Sequence, residues 1–214
     1  MPTFTTPKPV ALTVEVLSGD VTVIASDRVD SVVEVRPADA TKKGDVLAAE
    51  QTKVAFVDGV LTVRTPKQWR TYTPFGGNPS IVVRVEVPNG SLLKASAAVG
   101  RLLVVGELRQ SDLEVAAGDI TVERPGDTVT AKVAKGDVRV GDAVRGVLRL
   151  ETSMGELEVG IRPGSAARLE VDAKAGTVQN HLGAVHGPAT DEDTVQVFAR
   201  NIFGNVIVRH AVAA

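Results

Sequence analysis

LEVAAGDITVERPGDTVTAKVAKGDVRV, residues 113–140, is the stretch that decides how this chain folds. It holds one phrase twice. Leu113 and Val115 lead to Gly118 and are followed by Ile120 and Val122; Val129, Ala131 and Val133 lead to Gly136 and are followed by Val138 and Val140. Apolar residues at every second position share one face of an extended strand. The alternation changes parity across each glycine, since Val115 and Ile120 are an odd number of residues apart. A strand that keeps its apolar face inward through such a change must turn a corner, and glycine adopts the positive φ this needs without the penalty of a Cβ.

Working outward, the same phrase recurs as LSGDVTV, SMGELEV and IFGNVIV. Aligned glycines fall at Gly19, Gly100, Gly118, Gly136, Gly155, Gly176 and Gly204, and from Gly100 onward they are spaced 18, 18, 19, 21 and 28 residues apart. Gly59 fits in part, with Val54 and Phe56 before it and Leu61 and Val63 after it. An antiparallel meander would also repeat at this interval. The turn chemistry favours another architecture, because two-residue hairpins prefer Asn-Gly or Asp-Gly and the dominant order here is Gly-Asp. The expected fold is all-β, a single-stranded parallel β-helix or β-solenoid with coils of about 18–20 residues, each burying one layer against the next. One domain over 1–214 is expected: an irregular N-terminal strand section over 1–80 with a loop at 66–80, then regular coils over 81–214, with the segment after Arg200 closing the stack. Helical periodicity is confined to a turn at 46–52 (VLAAEQT).

Composition agrees with thin aliphatic layers. Hydrophobic residues make up 43% of the 214, aromatic residues only 3%, which suits stacked Val, Leu and Ala better than one deep centre. The 24 basic and 26 acidic residues leave a formal charge of −2, so no electrostatic footprint for nucleic acid is present. With no cysteine, disulfides, thiolate metal sites and cysteine nucleophiles are excluded. The opening MPTFTTPKPV carries neither a basic region nor a long apolar run, and no segment reaches the roughly 18 apolar residues of a membrane helix. A cytoplasmic location with no membrane span is the expectation, or a secreted one if a leader has been removed.

TPKPVALTVEVLSGDVTVIASD near the start, DGVLTVRTP at 58–66, IVVRVEVPNGS at 81–91 and the serial G-D-V-x-V turns resemble the bacterial, actinobacterial-type family described as adhesins with β-strand repeats. The resemblance spans nearly the whole chain. It implies a right-handed parallel β-helix-like fold and, since the motifs are structural, very little chemistry.

Candidate sites are few. The residues after the turn glycines, Asp119, Asp137 and Glu156, fall on successive coils; stacking would bring them about 5 Å apart along one edge, where they either attract a divalent cation or simply face water. Arg139 and Glu158 would face each other on adjacent coils as an opposite-charge pair. His181 and His186 in NHLGAVHG lie near Asp191, Glu192 and Asp193, but the glycine between them and the absence of helical spacing define no ligand geometry; His210 stands apart. No nucleophile elbow, phosphate loop or dinucleotide motif is present, so no catalytic residue, metal or cofactor is assigned. The aromatic cluster Trp69, Tyr72 and Phe75 with Arg70, in QWRTYTPFGGNP, contains the only tryptophan and the only tyrosine. Its composition is that of a protein-binding hot spot, or of a flap over one end of the stack. The reading is a non-enzymatic structural or protein-interaction module with an unidentified protein partner and self-association through an end or edge. The alternative is a carbohydrate-binding or carbohydrate-active β-helix enzyme, a lyase or hydrolase, which would need carboxylates converging beside sugar-stacking aromatics.

Overall fold

The computed structural model describes residues 1–66, 79–183 and 194–211. It is all-β apart from one short helix, and its strands pair mainly in parallel. The pattern that makes a strand is the alternation itself. In β2 (Ala11–Ser26) buried and half-buried residues alternate from Leu12 to Val16 and again from Val21 to Ala25, with the change of parity at Gly19.

Each turn of chain gives a longer strand to one sheet and, after a glycine corner, a shorter strand to a second sheet. The middle of the molecule contains β7 (Leu92–Val99) with β8 (Leu102–Val105), β9 (Leu108–Ala117) with β10 (Ile120–Val122), β11 (Pro125–Lys135) with β12 (Val138–Ala143), and β13 (Gly146–Met154) with β14 (Leu157–Ile161). These rungs stack in sequence order and in register, so that side chains form columns. Leu113 lies beside Ala131, which lies beside Leu150; Leu102, Ile120, Val138 and Leu157 form another such column. Both sheets turn these columns toward one continuous aliphatic core.

At both ends the spatial order departs from the sequence order. β2 lies between the rung of β7 and β8 and that of β5 (Val60–Arg64) and β6 (Ile81–Pro88). At the other end, β17 (Thr194–Phe203) and β18 (Val206–His210) lie between the rung of β13 and β14 and that of β15 (Ala166–Ala175) and β16 (Val178–Asn180). The C-terminal segment is therefore not the closing coil that its position in the chain suggested. Val206 and Val208 are fully buried, and among the described residues the rung of β15 and β16 is outermost. The reason is permissive packing: every rung offers the same aliphatic columns, so a later rung fits between two earlier ones as well as outside them.

The N-terminal section is antiparallel. β3 (Asp30–Pro37) pairs with the free edge of β6, β1 (Thr3–Thr5) with β3, and β4 (Lys53–Val57) with β5. β4 and β5 form a hairpin over Asp58 and Gly59, both at positive φ, 49° and 80°, which is the Asp-Gly turn that matches strand twist. Phe4 and Phe56 meet there with ring centroids 5.5 Å apart. The helix α1 (Lys43–Gln51) begins three residues before the expected turn. Its buried Asp45 accepts the backbone N–H groups of Asp39 (3.1 Å) and Ser80 (3.0 Å), tying the helix to the segment before it and to the start of β6.

Candidate functional site

The turn glycines form one continuous column, in the order Gly19, Gly100, Gly118, Gly136, Gly155, Gly204, Gly176, with φ between 130° and 156°. Each packs closely against the backbone of its neighbour in the column. A Cβ on Gly136 would stand 2.0 Å from the Gly118 oxygen, and one on Gly118 would stand 1.8 Å from that of Gly100. Both backbone conformation and space therefore require glycine here.

The acidic residue after the glycine has a specific task. At the corner its carboxylate accepts the backbone N–H of the equivalent residue one rung further on: Asp119 Oδ1 takes the N–H of Asp137 (2.9 Å), and Asp137 Oδ1 takes that of Glu156 (2.8 Å). Asp20 serves Arg101 in the same way (3.2 Å) and also binds its guanidinium at 2.9 Å; Asn205 serves Thr177 at 3.2 Å. Of the row Asp119, Asp137 and Glu156, for which cation binding and plain exposure to water were the two readings, the two aspartates are thus engaged with backbone donors that the sheet ladder leaves over at the corner. Among the described residues no group of three or more His, Asp or Glu residues is arranged to hold a metal ion. Two positions further on, the Arg139–Glu158 pair forms at 3.4 Å. Glu158 also binds Arg209 at 2.6 Å, and Arg139 binds Asp137 at 2.8 Å. Exposed pairs of this kind each contribute about 0.2–1 kcal/mol.

Of the histidines, His181 is exposed and faces Gln179 Oε1 at 3.3 Å, and His210 is exposed at the end of β18. His186 and the acidic run 191–193 lie outside the described residues, as do Trp69, Arg70, Tyr72 and Phe75. The segment carrying those aromatics is inserted in the rung of β5 and β6, and its flanks are fixed. Thr65 donates its N–H to Glu15 O (3.0 Å), and Ser80 is held both by Asp45 and by the Ala38 N–H.

Two features escaped the sequence reading. The first is an apolar pair just before the glycine corner, where Met154 and Phe203 stand side by side on the outside at 52% and 56% exposure; Val99, 46% exposed, occupies the same outward column but is separated from them by Ala117 and Lys135. Further along β17, Phe198 lies under the Arg149 guanidinium, 5.5 Å from ring centroid to carbon. The signal was an apolar residue at the position before the glycine, which the search for inward residues passed over. The second is a buried amide. Asn201 donates from Nδ2 to Gly155 O (2.9 Å) and Asn205 O (3.2 Å), while its Oδ1 has no partner among the described residues. One rung earlier Thr152 makes the equivalent bond, from Oγ1 to Gly136 O at 3.0 Å.

No family model and no curated protein matches the chain. Among solved structures, a protein of Clostridium sporogenes ATCC 15579 that carries the provisional name of cell adhesion protein aligns over 98% of this chain and 98% of its own, with 10% identity and a TM-score of 0.52. A provisionally named adhesin of Bacteroides fragilis NCTC 9343 aligns over 97% and 95%, with 11% identity and a TM-score of 0.44. The actinobacterial character of the expected family finds no counterpart in these organisms. At such identity the first likeness is one of fold: an all-β chain threaded over its whole length in a comparable way.

Proposed function

We propose that the protein is a non-enzymatic, adhesin-like interaction module in which a solenoid of coils of about 18–20 residues serves as a rigid scaffold and its surface features make the contacts. The observation that carries this reading is how the polar groups are used. The turn carboxylates Asp20, Asp119 and Asp137 hold the backbone of the next rung, whereas the exposed apolar side chains Met154 and Phe203 stand side by side at the corner. Carboxylates committed to backbone donors are poor general acids and bases. An exposed apolar pair beside a rigid corner offers contact surface. The described residues on either side of the segment with Trp69, Arg70, Tyr72 and Phe75, Thr65 and Ser80, are both held by hydrogen bonds to the scaffold, and the composition of that segment suits an epitope. The names carried by the structural neighbours are consistent with it.

The experiment compares wild type with Trp69→Ala/Tyr72→Ala and Met154→Ser/Phe203→Ser as immobilised baits for purified surface fractions and a glycan panel. Saturable binding that either double variant reduces about tenfold or more, with the thermal midpoint retained, is the expected result. Turnover of a polysaccharide that disappears on replacing outward carboxylates would instead establish the carbohydrate-active alternative.

A further inference from the structure

The two ends of the stack are built differently. At one end the free edges of β5 and β6 are covered by β4 and β3, and the last apolar layer, Leu61 and Ile81, is buried. At the other end β15 pairs on one side only, with β17, and β16 on one side only, with β18; among the described residues no strand lies on their outer edges. The columns show the effect. Leu157 and Val206 are each 0% exposed, yet Val178, next in the same column, is 51% exposed. Leu148 and Val197 are buried, and Leu169 beyond them is only half-buried, as are Val171 and Ala173. A ten-residue parallel edge with its apolar layer half in water is a ready template for another strand.

The outward side chains of β15 indicate which strand. In order they are Arg168, Glu170, Asp172 and Lys174, all exposed, with the charge pattern plus, minus, minus, plus. A two-fold axis lays β15 antiparallel on its own copy. With Glu170 at the centre, Arg168 of each copy faces Asp172 of the other, giving two opposite-charge pairs that flank the Glu170 side chains on the axis. Leu169 then faces Val171 twice on the inner side, so the half-exposed apolar layer is closed by an identical layer. Centring on Val171 would set like charges opposite each other throughout, which the pattern disfavours. Centring on Asp172 would pair Glu170 with Lys174, but it would set Val171 against the smaller Ala173 and leave Leu169 outside the apolar match. The covered end is a weaker match, because its outer strand β4 brings a single charged residue, Lys53.

We propose that the outer edge of β15, together with β16, is a self-association surface on which a second copy of the chain stacks end to end about the two-fold axis through Glu170. The proposal is independent of the interaction-module reading. Sedimentation velocity and light scattering from about 1 to 100 μM, a range suited to ordinary protein contacts, test it on the full chain. The wild type is expected to reach twice the 22.4 kDa chain mass. Asp172→Arg sets a positive charge against Arg168 of the other copy and is expected to weaken the dimer about tenfold or more. Arg168→Asp combined with Asp172→Arg restores opposite charges and is expected to restore the dimer. Both positions are exposed, and far-UV circular dichroism checks that each variant keeps its fold. Four outcomes overturn the proposal: a monomer at every concentration, a dimer indifferent to Asp172→Arg, a loss that the charge swap does not rescue, or growth beyond the dimer, which marks head-to-tail stacking.

Discussion

At Gly136 two constraints coincide that are separable elsewhere. Its φ of 140° disfavours any side chain, and the carbonyl of Gly118 occupies the place a Cβ would take. Gly59, in the β4–β5 hairpin, also has positive φ, 80°, but nothing lies within 4 Å of its missing Cβ. The two therefore give a controlled comparison. Gly59→Ala is expected to cost about 1–2 kcal/mol, the intrinsic cost of a left-handed alanine. Gly136→Ala must also push two rungs apart and is expected to cost at least about 3 kcal/mol. Urea denaturation of the two variants measures the difference, and equal losses would mean that close approach within the glycine column carries no energetic weight. The Gly-Asp phrase exposed the corner, but not why the acid is there. Its role depends on a backbone N–H in a different rung, a relation that alternation within one strand does not contain. Asn205 shows that the requirement is an acceptor rather than a charge, since it serves Thr177 as Asp137 serves Glu156.

Strands of the central rungs were legible because period-two alternation is a local property: the inward sets read at Leu113 and Val115, and at Val129, Ala131 and Val133, are buried. The order of rungs was not legible, because it depends on which rung lies beside which. A column that accepts Leu148, Val197 and Leu169 in turn discriminates little among aliphatic neighbours, so position along the chain was a misleading guide at both ends. The antiparallel cap was partly visible as the Asp58-Gly59 hairpin, while the pairing of β3 with β6 across the intervening helix and hairpin left no local mark. Ion pairs reinforce that cap. Arg28, following β2, binds Asp30 at 2.8 Å and also Glu86 on β6, which in turn binds Arg84 at 3.0 Å. Hydrogen bonds from Arg28 and then Arg84 hold the Glu86 carboxyl below its ordinary value of 4.5. A depressed carboxylate contributes stability that is present above its unfolded value and is lost as pH falls through its folded value. Glu86→Gln is therefore expected to lower stability at pH 7 by less than about 1 kcal/mol, since the site is partly screened by solvent, and to reduce the loss between pH 7 and pH 3. Denaturation midpoints at the two pH values test this. A variant whose acid sensitivity matches the wild type would remove Glu86 from the account.

Across the whole molecule, the sequence order and the order of protection should disagree. A strand near a chain terminus ordinarily frays first, yet β17 is bonded on both edges, to β13 and to β15, and β2 is likewise flanked on both sides. β15 precedes β17 in the chain but lies outside it. In a parallel ladder successive backbone N–H groups point to opposite sides, so a strand paired on one edge can protect only alternate amides. Native-state hydrogen exchange, run dilute enough that the chain is monomeric, should find continuous protection along Val195–Asn201. It should find an every-second-residue pattern along Leu169–Ala173, with the intervening amides exchanging at rates set by local opening. Raising the concentration should then slow those intervening amides of β15 and leave β17 unchanged, because β15 has an unpaired edge to meet a second copy and β17 is paired on both edges. Faster exchange in β17 than in β15 at low concentration would place the C-terminal rung outermost and refute the interleaved order. In the interleaved order, opening the C-terminal rung exposes two ladders at once, β13–β17 and β15–β17, together with the buried faces of Val195, Val197 and Ala199. The chain end is thereby fixed by the strand that precedes it, and the place where the stack yields most easily is the outer rung formed by residues 166–180.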